Sequence, residues 1–193
     1  MVIAIVLAAA AGIAAIDQLI KFFVLEYLVP VNSVEVIKGL LSLVYVENRG
    51  VAFGMMQNHV WLFAVITLLL IGAMIYLIAS KKLTGKLFYT AAILLIGGGI
   101  GNLIDRVFRG FVVDYLSLSF FPPVCNFADY CITIGAVLFV IVMLLSGKDD
   151  ARKVKAPVSA AIDKDAGTSP GTEKKDAGQS DESTGDAPDG EQS

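Results

Sequence analysis

Four long apolar runs, separated by polar punctuation, organise this chain. They extend from about Val2 to Leu28, Val60 to Ala79, Leu87 to Val107 and Phe127 to Leu145. Each matches the roughly 20 mostly apolar residues needed to cross a bilayer. Hydrocarbon tolerates no unpaired backbone polar group, so each run predicts a transmembrane helix. The texture changes between the first two runs. "LLSLVYVEN" is rich in β-branched and aromatic residues, bounded by Gly39 and by Asn48-Arg49-Gly50. That pattern predicts one or two short strands, and a small sheet is expected within about 29–59, lying on the membrane surface. The fold class expected is therefore an all-α membrane protein of four transmembrane helices, with a small β element outside the bilayer.

Residues 147–193 break the pattern. Large apolar side chains are almost absent there, and seven basic residues face eleven acidic ones. Such a segment cannot bury enough apolar surface to offset its ordering entropy. It is expected to be a disordered acidic tail, separate from a membrane domain at 1–146. Composition agrees with this division. The whole chain of 193 residues is 56% hydrophobic with a mean hydropathy of +0.72, above the roughly 45–50% apolar content of soluble domains. Its net charge of −3 is carried by the tail, so acidity says little about partners of the membrane part.

Orientation follows from the basic residues near helix ends. Lys81, Lys82 and Lys86 lie between the second and third runs, and Lys148, Arg152, Lys153 and Lys155 follow the fourth. Both places are expected on the cytoplasmic side, together with both termini. The loops at about 29–59 and 108–126 then face outward. Arg49, Arg106 and Arg109 break this bias, so something other than topology is expected to hold them. The first run contains small-residue sites of the kind that suit a cleaved leader. However, no Lys or Arg precedes it, and its apolar pattern continues past Asp17 and Lys21, so it is read as a retained helix. Cys125 and Cys131 read as small core hydrophobes, because a bridge across six helical positions would be badly placed. No Cys/His set has zinc spacing, and His59 and Trp61 read as interface anchors.

The informative residues are the acids. Residues 1–146 hold seven: Asp17, Glu26, Glu35, Glu47, Asp105, Asp114 and Asp129. The four aspartates lie toward the outer ends of membrane-length segments. Asp17 and Lys21 in "DQLIK" share a helical face at i, i+4. Asp105-Arg106 closes "GGGIGNLIDR", whose glycines permit close helix approach, and Asn102 and Asp105 share a face. Asp17–Lys21 and Asp105–Arg106 are expected to be structural pairs. Asp114 and Asp129 are different, because Asp129 has no Lys or Arg within four residues. Intramembrane ionisable groups without local partners point to function. Two neighbouring carboxylates share a proton, because like charges in contact cannot both ionise easily. One can act as base toward water while the other hydrogen-bonds a carbonyl oxygen. That is aspartyl peptide hydrolysis, and it needs no metal or organic cofactor.

The stretches "DQLIK" (17–21), "NRGVAFG" (48–54), "GNLIDR" (101–106), "VVDY" (112–115) and "NFAD" (126–129), in this order, make the chain resemble signal peptidase II, the bacterial lipoprotein signal peptidase family. The resemblance implies a multi-pass enzyme of the bacterial cytoplasmic (inner) membrane. Such an enzyme cuts prolipoproteins just before a diacylglyceryl-modified cysteine. It further implies that Asp114 and Asp129 are the catalytic dyad. Asn48, Gly50, Asn102, Asp105, Arg106, Asn126 and Ala128 would line the site or position substrate, and Asp17 and Lys21 would support it. The outer loop would form the family's β-cradle and an amphipathic segment over the site. Prolipoproteins and membrane lipid are the expected partners, with no nucleic acid, no cofactor and a monomeric state. Cys125 departs from the family, which more often has an aromatic residue before the Asn. The tail exceeds the usual length and is expected to be dispensable.

Two other readings stand beside this one. A small proton-coupled transporter would also use intramembrane carboxylates, but it would place them near the midplane. A non-enzymatic anchoring protein would leave the Asn–Asp groupings without purpose.

Overall fold

The computed structural model describes residues 1–50 and 60–165, with side chains described to 146. Among the described residues, four helices are long and apolar enough to cross a membrane. They are α1 (Val2–Phe23), α2 (Val60–Ser80), α3 (Lys86–Phe108) and α4 (Phe127–Asp165). A π-helical turn at Val24–Leu28 and a 3₁₀ turn at Val29–Val31 prolong α1. The first compact unit is Met1–Asp149 and the second Asp150–Ser193. In the second, backbone is helical to Asp165. The disorder expected of the tail falls, from 166 onward, outside the described residues.

α3 is the central helix. Half of its most apolar window (50%) is buried, against 22%, 17% and 22% for the others. It packs on α1 and α2. Small residues permit this closeness: a Cβ at Gly101 would lie 2.6 Å from Asp17 Oδ2. On α1 the buried residues are Val6, Ala10, Ala14, Asp17 and Lys21, continued by Val24 and Leu28. They recur every three or four positions, which makes a single stripe along the helix. Its polar members lie between two apolar clusters. One contains Val6, Ala10, Phe88, Ala92 and Ile96, and the other Val24, Leu28, Val113 and Tyr115. The outward faces carry exposed residues such as Leu19, Phe22, Leu69 and Leu144, as suits helices whose solvent is lipid.

One antiparallel sheet joins the end of the bundle where α1 and α3 stop and α4 starts. Its strands are β1 (Ser33–Ile37), β2 (Leu41–Asn48), β3 (Val112–Leu118) and β4 (Phe121–Cys125), in the order β1-β2-β3-β4. Gly110, at φ +75°, ends α3 and turns the chain into β3; the left-handed conformation after a helix end favours glycine. The register sets Val46 opposite Asp114 and Asn48 opposite Val112. Two strands were expected at most. β3 and β4 add a second hairpin in the 108–126 loop, and Asp114 stands on a strand instead of at a helix end.

Candidate active site

α4 begins with a reciprocal cap that aims Asp129. The Asn126 side-chain oxygen accepts from the Asp129 amide at 2.9 Å, and the Asp129 carboxylate (Oδ2) accepts from the Asn126 amide at 3.1 Å. This is a capping box, with Asn at the N-cap and Asp three positions on. The same Asn126 then reaches across to β3. Its Nδ2 donates to Asp114 Oδ1 at 2.6 Å and to Asn102 Oδ1 at 3.1 Å. One residue therefore holds both carboxylates, which are fifteen positions apart in sequence. The remaining oxygens are also supplied with donors. Asn48 Nδ2, at the end of β2, donates to Asp114 Oδ2 at 2.9 Å, and Asn102 Nδ2, on α3, donates to Asp129 Oδ1 at 2.8 Å. Asn48 is itself fixed by the Gly50 amide, which donates to its Oδ1 at 3.1 Å.

Asp114 is buried, whereas Asp129 is partly exposed. Burial, and next the charge of Asp129, push the Asp114 carboxyl from 3.8 up to about 6. Burial also pushes the neighbouring Tyr115 phenol up, so Tyr115 serves as a neutral group: its Oη accepts from the Phe127 amide at 3.2 Å. A cleft of about 270 Å³ opens beside Asp129, lined otherwise by Leu118, Phe121, Cys125, Tyr130 and Thr133. Cys125 and Cys131 are both free thiols.

Behind the pair lies a second polar cluster. Lys21 Nζ contacts Asp17 Oδ2 and Asp105 Oδ2, each at 2.8 Å, and all three side chains are completely buried. Asp17 Oδ1 accepts from the Ala128 amide and Asp105 Oδ2 from the Val113 amide, both at 3.1 Å. The expected Asp17–Lys21 pair is present. The expected Asp105–Arg106 pair is not: Asp105 pairs with Lys21 and with Arg109, one turn further on. Successive residues on a helix point in different directions, whereas i and i+4 share a face. Arg106 instead donates to the Asn102 carbonyl at 3.4 Å and lies 5.9 Å from the Phe63 ring centroid.

The residues that broke the charge bias thus have local partners. Arg49 meets Glu47 at 2.7 Å and lies over Phe111. Sequence reasoning assigned no role to Gln18, Tyr115 or Arg109. Gln18 Nε2 donates to Asp17, to Asp105 and to the Gly101 carbonyl, while its Oε1 accepts from Arg109. Gln18 and Tyr115 lie inside the quoted "DQLIK" and "VVDY", which was the available signal. The amphipathic segment expected over the site falls on 51–59, together with His59, outside the described residues.

Comparison with known proteins gives this geometry a context. A family model described as Signal peptidase (SPase) II matches residues 9–145. A lipoprotein signal peptidase of Caldanaerobacter subterraneus subsp. tengcongensis is 45% identical over 132 residues, covering 68% of this chain and 90% of that protein. One from Syntrophomonas wolfei is 44% identical over 138 residues, covering 71% and 91%. A bacterial membrane enzyme solved by the in meso method at 1.9 Å resolution superposes with a TM-score of 0.65 at 30% identity, over 73% of this chain and 93% of the other.

Proposed function

The chain belongs to the signal peptidase II family, and from that premise we propose that it cleaves prolipoproteins just before the lipid-modified cysteine, with Asp114 and Asp129 as an aspartyl dyad. The observation that carries the dyad is Asn126, whose backbone amide holds Asp129 while its side chain holds Asp114. Two carboxylates held this way share one proton, which belongs to the pair.

The singly protonated pair supplies both kinds of group that hydrolysis needs. The ionised carboxylate takes a proton from water as the water oxygen bonds to the scissile carbonyl carbon. The protonated one donates to the carbonyl oxygen as negative charge develops there. Collapse of the tetrahedral intermediate breaks the C–N bond. The proton taken from water then goes to the departing amine, and the pair returns to its starting state. Asn48, Asn102 and Asn126 hold the carboxylates without adding charge. The cleft beside Asp129, with its apolar wall, suits an apolar substrate segment lying next to the scissile bond.

Placement follows the chemistry. The cysteine's lipid is held in the bilayer, so the bond to be cut lies at the membrane surface. We place the sheet end of the bundle at the extracytoplasmic face and both termini in the cytoplasm, in accord with the basic residues. The acids gather at one end of the helices, as surface chemistry requires, and nothing in the relatives favours the transporter reading.

The test is cleavage of a diacylated precursor peptide by purified protein in detergent, for wild type, Asp114→Asn and Asp129→Asn. Each substitution is expected to abolish turnover while leaving membrane insertion intact. Brisk cleavage by either variant overturns the shared-proton mechanism.

A further inference from the structure

An ammonium group has three donors and no acceptor. Lys21, completely buried, has three partners: Asp17 Oδ2 at 2.8 Å, Asp105 Oδ2 at 2.8 Å and Asn102 Oδ1 at 3.0 Å. Each of these partners holds something next to the dyad. Asp17 accepts from the amide of Ala128, the residue before Asp129. Asp105 accepts from the amide of Val113, the residue before Asp114. Asn102 donates to Asp129 itself. With Lys21 and Asn126 both donating to Asn102 Oδ1, the Asn102 amide is fixed one way round, with Nδ2 facing Asp129.

We propose that Lys21 is a positioning residue for the peptidase reaction. Its ammonium fixes the spacing between the β3 and α4 segments that carry Asp114 and Asp129, and through Asn102 it fixes the facing of the Asp129 carboxylate. The inference rests on the dyad reading above. It goes further by giving one side chain on α1 control over two residues that come from different elements. A purely stabilising ion pair does not require this arrangement, because buried pairs are often replaced by apolar side chains at no cost in stability. Here the second contact of each carboxylate goes to the backbone immediately before an aspartate, so removing the ammonium that bridges them uncouples the two segments from each other.

Two variants separate positioning from stability. Lys21→Met leaves Asp17 and Asp105 facing each other without their common cation, so it is expected to melt well below wild type. Lys21→Met with Asp17→Asn removes one charge of each sign. Asp105 keeps Arg109, and the new amide oxygen can still accept from Ala128. This double variant is expected to recover most of the thermal stability. Its kcat per folded molecule on the diacylated peptide should remain about a hundredfold low, as expected for a small misplacement of catalytic groups, with KM unchanged. A double variant with wild-type kcat overturns the proposal. So does one that fails to fold, because the deficit is placed in the geometry of a folded protein. Failure of the dyad reading looks different: wild type would not cleave, or Asp114→Asn would.

Discussion

Burial of Asp114 makes stability fall as pH rises, and the size of the fall can be worked out. The carboxyl moves from 3.8 in an exposed chain to about 6 in the fold, mainly through desolvation and next through the charge of Asp129. Below 3.8 both states carry the proton. Between 3.8 and about 6 the folded protein keeps a proton that the unfolded chain has lost, so stability declines through this window. At about 1.4 kcal/mol per pKa unit, the decline is about 3 kcal/mol by neutral pH.

Asp114→Asn removes the titrating group. The new NH₂ must face Asn48 Nδ2 or Asn126 Nδ2, both of which donate to Asp114. That mismatch costs about 1–3 kcal/mol, but it costs the same at every pH. The difference in melting temperature between variant and wild type should therefore climb in favour of the variant from pH 3.5 to 7.5. For a chain of this size the climb is roughly 6–12 °C. Thermal melts in detergent across that range measure it. A difference that stays flat refutes the claim that burial governs the Asp114 proton, whatever the variant's activity.

Two further outcomes concern the packing that aims the proposed dyad. Asn126→Ala should lower stability by about 1 kcal/mol through loss of the helix cap and lower kcat about a hundredfold through loss of dyad alignment. Asn126→Ser keeps a capping oxygen but is too short to reach Asp114, so it should regain the stability and not the turnover; equal recovery of both would show that Asn126 is a cap and nothing more. Gly101→Ala would set a methyl 2.6 Å from Asp17 Oδ2 and should cost about 1–3 kcal/mol by overpacking, seen as a lower melting temperature; an unchanged melt would mean that α1 and α3 are not held at this separation.

The helices were legible because the bilayer imposes a length and an apolar composition. The runs read at 60–79 and 87–107 stand beside Val60–Ser80 and Lys86–Phe108. The π-helical turn at Val24–Leu28 left no trace in that signal, since a change in hydrogen-bond register alters no side chain. β3 was missed because Val112, Val113, Asp114 and Tyr115 are all buried, so the strand lacks the alternation that marks a half-exposed sheet. β4 carries Pro122 and Pro123, which it tolerates because it lies at the edge of the sheet. At the site, "NFAD" carried more than was read from it. Its Asn and Asp are a capping pair by spacing alone, which would have turned Asp129 back toward Asn126 before any coordinates. The partnership of Lys21 with Asp105 was beyond reach, because it depends on how closely Gly101 lets α3 approach α1.

These features share a physical cause. A carboxylate costs least in a membrane protein where donors already exist, and the sheet end of this bundle gathers several kinds. The first turn of α4 supplies backbone amides at Asn126 and Ala128. β3 supplies the Val113 amide, and three asparagines supply neutral donors to the dyad itself. Cations are kept one layer back, where Lys21 and Arg109 compensate Asp17 and Asp105. Had Lys21 reached Asp114 or Asp129 directly, it would have favoured the ionised form of that carboxylate, against the shared proton that the proposed mechanism requires. Asparagine in direct contact and lysine behind it let Asp114 stay buried and Asp129 half-buried, aligned as the proposed shared-proton mechanism requires. Asn48→Lys, at a half-buried position that makes no hydrogen bond with Lys21, would bring a cation to the Asp114 oxygen that Asn48 Nδ2 now holds. The expected result is a folded protein whose precursor cleavage is lost across the whole pH range. Retained cleavage in that variant would show that the neutrality of the inner layer is incidental.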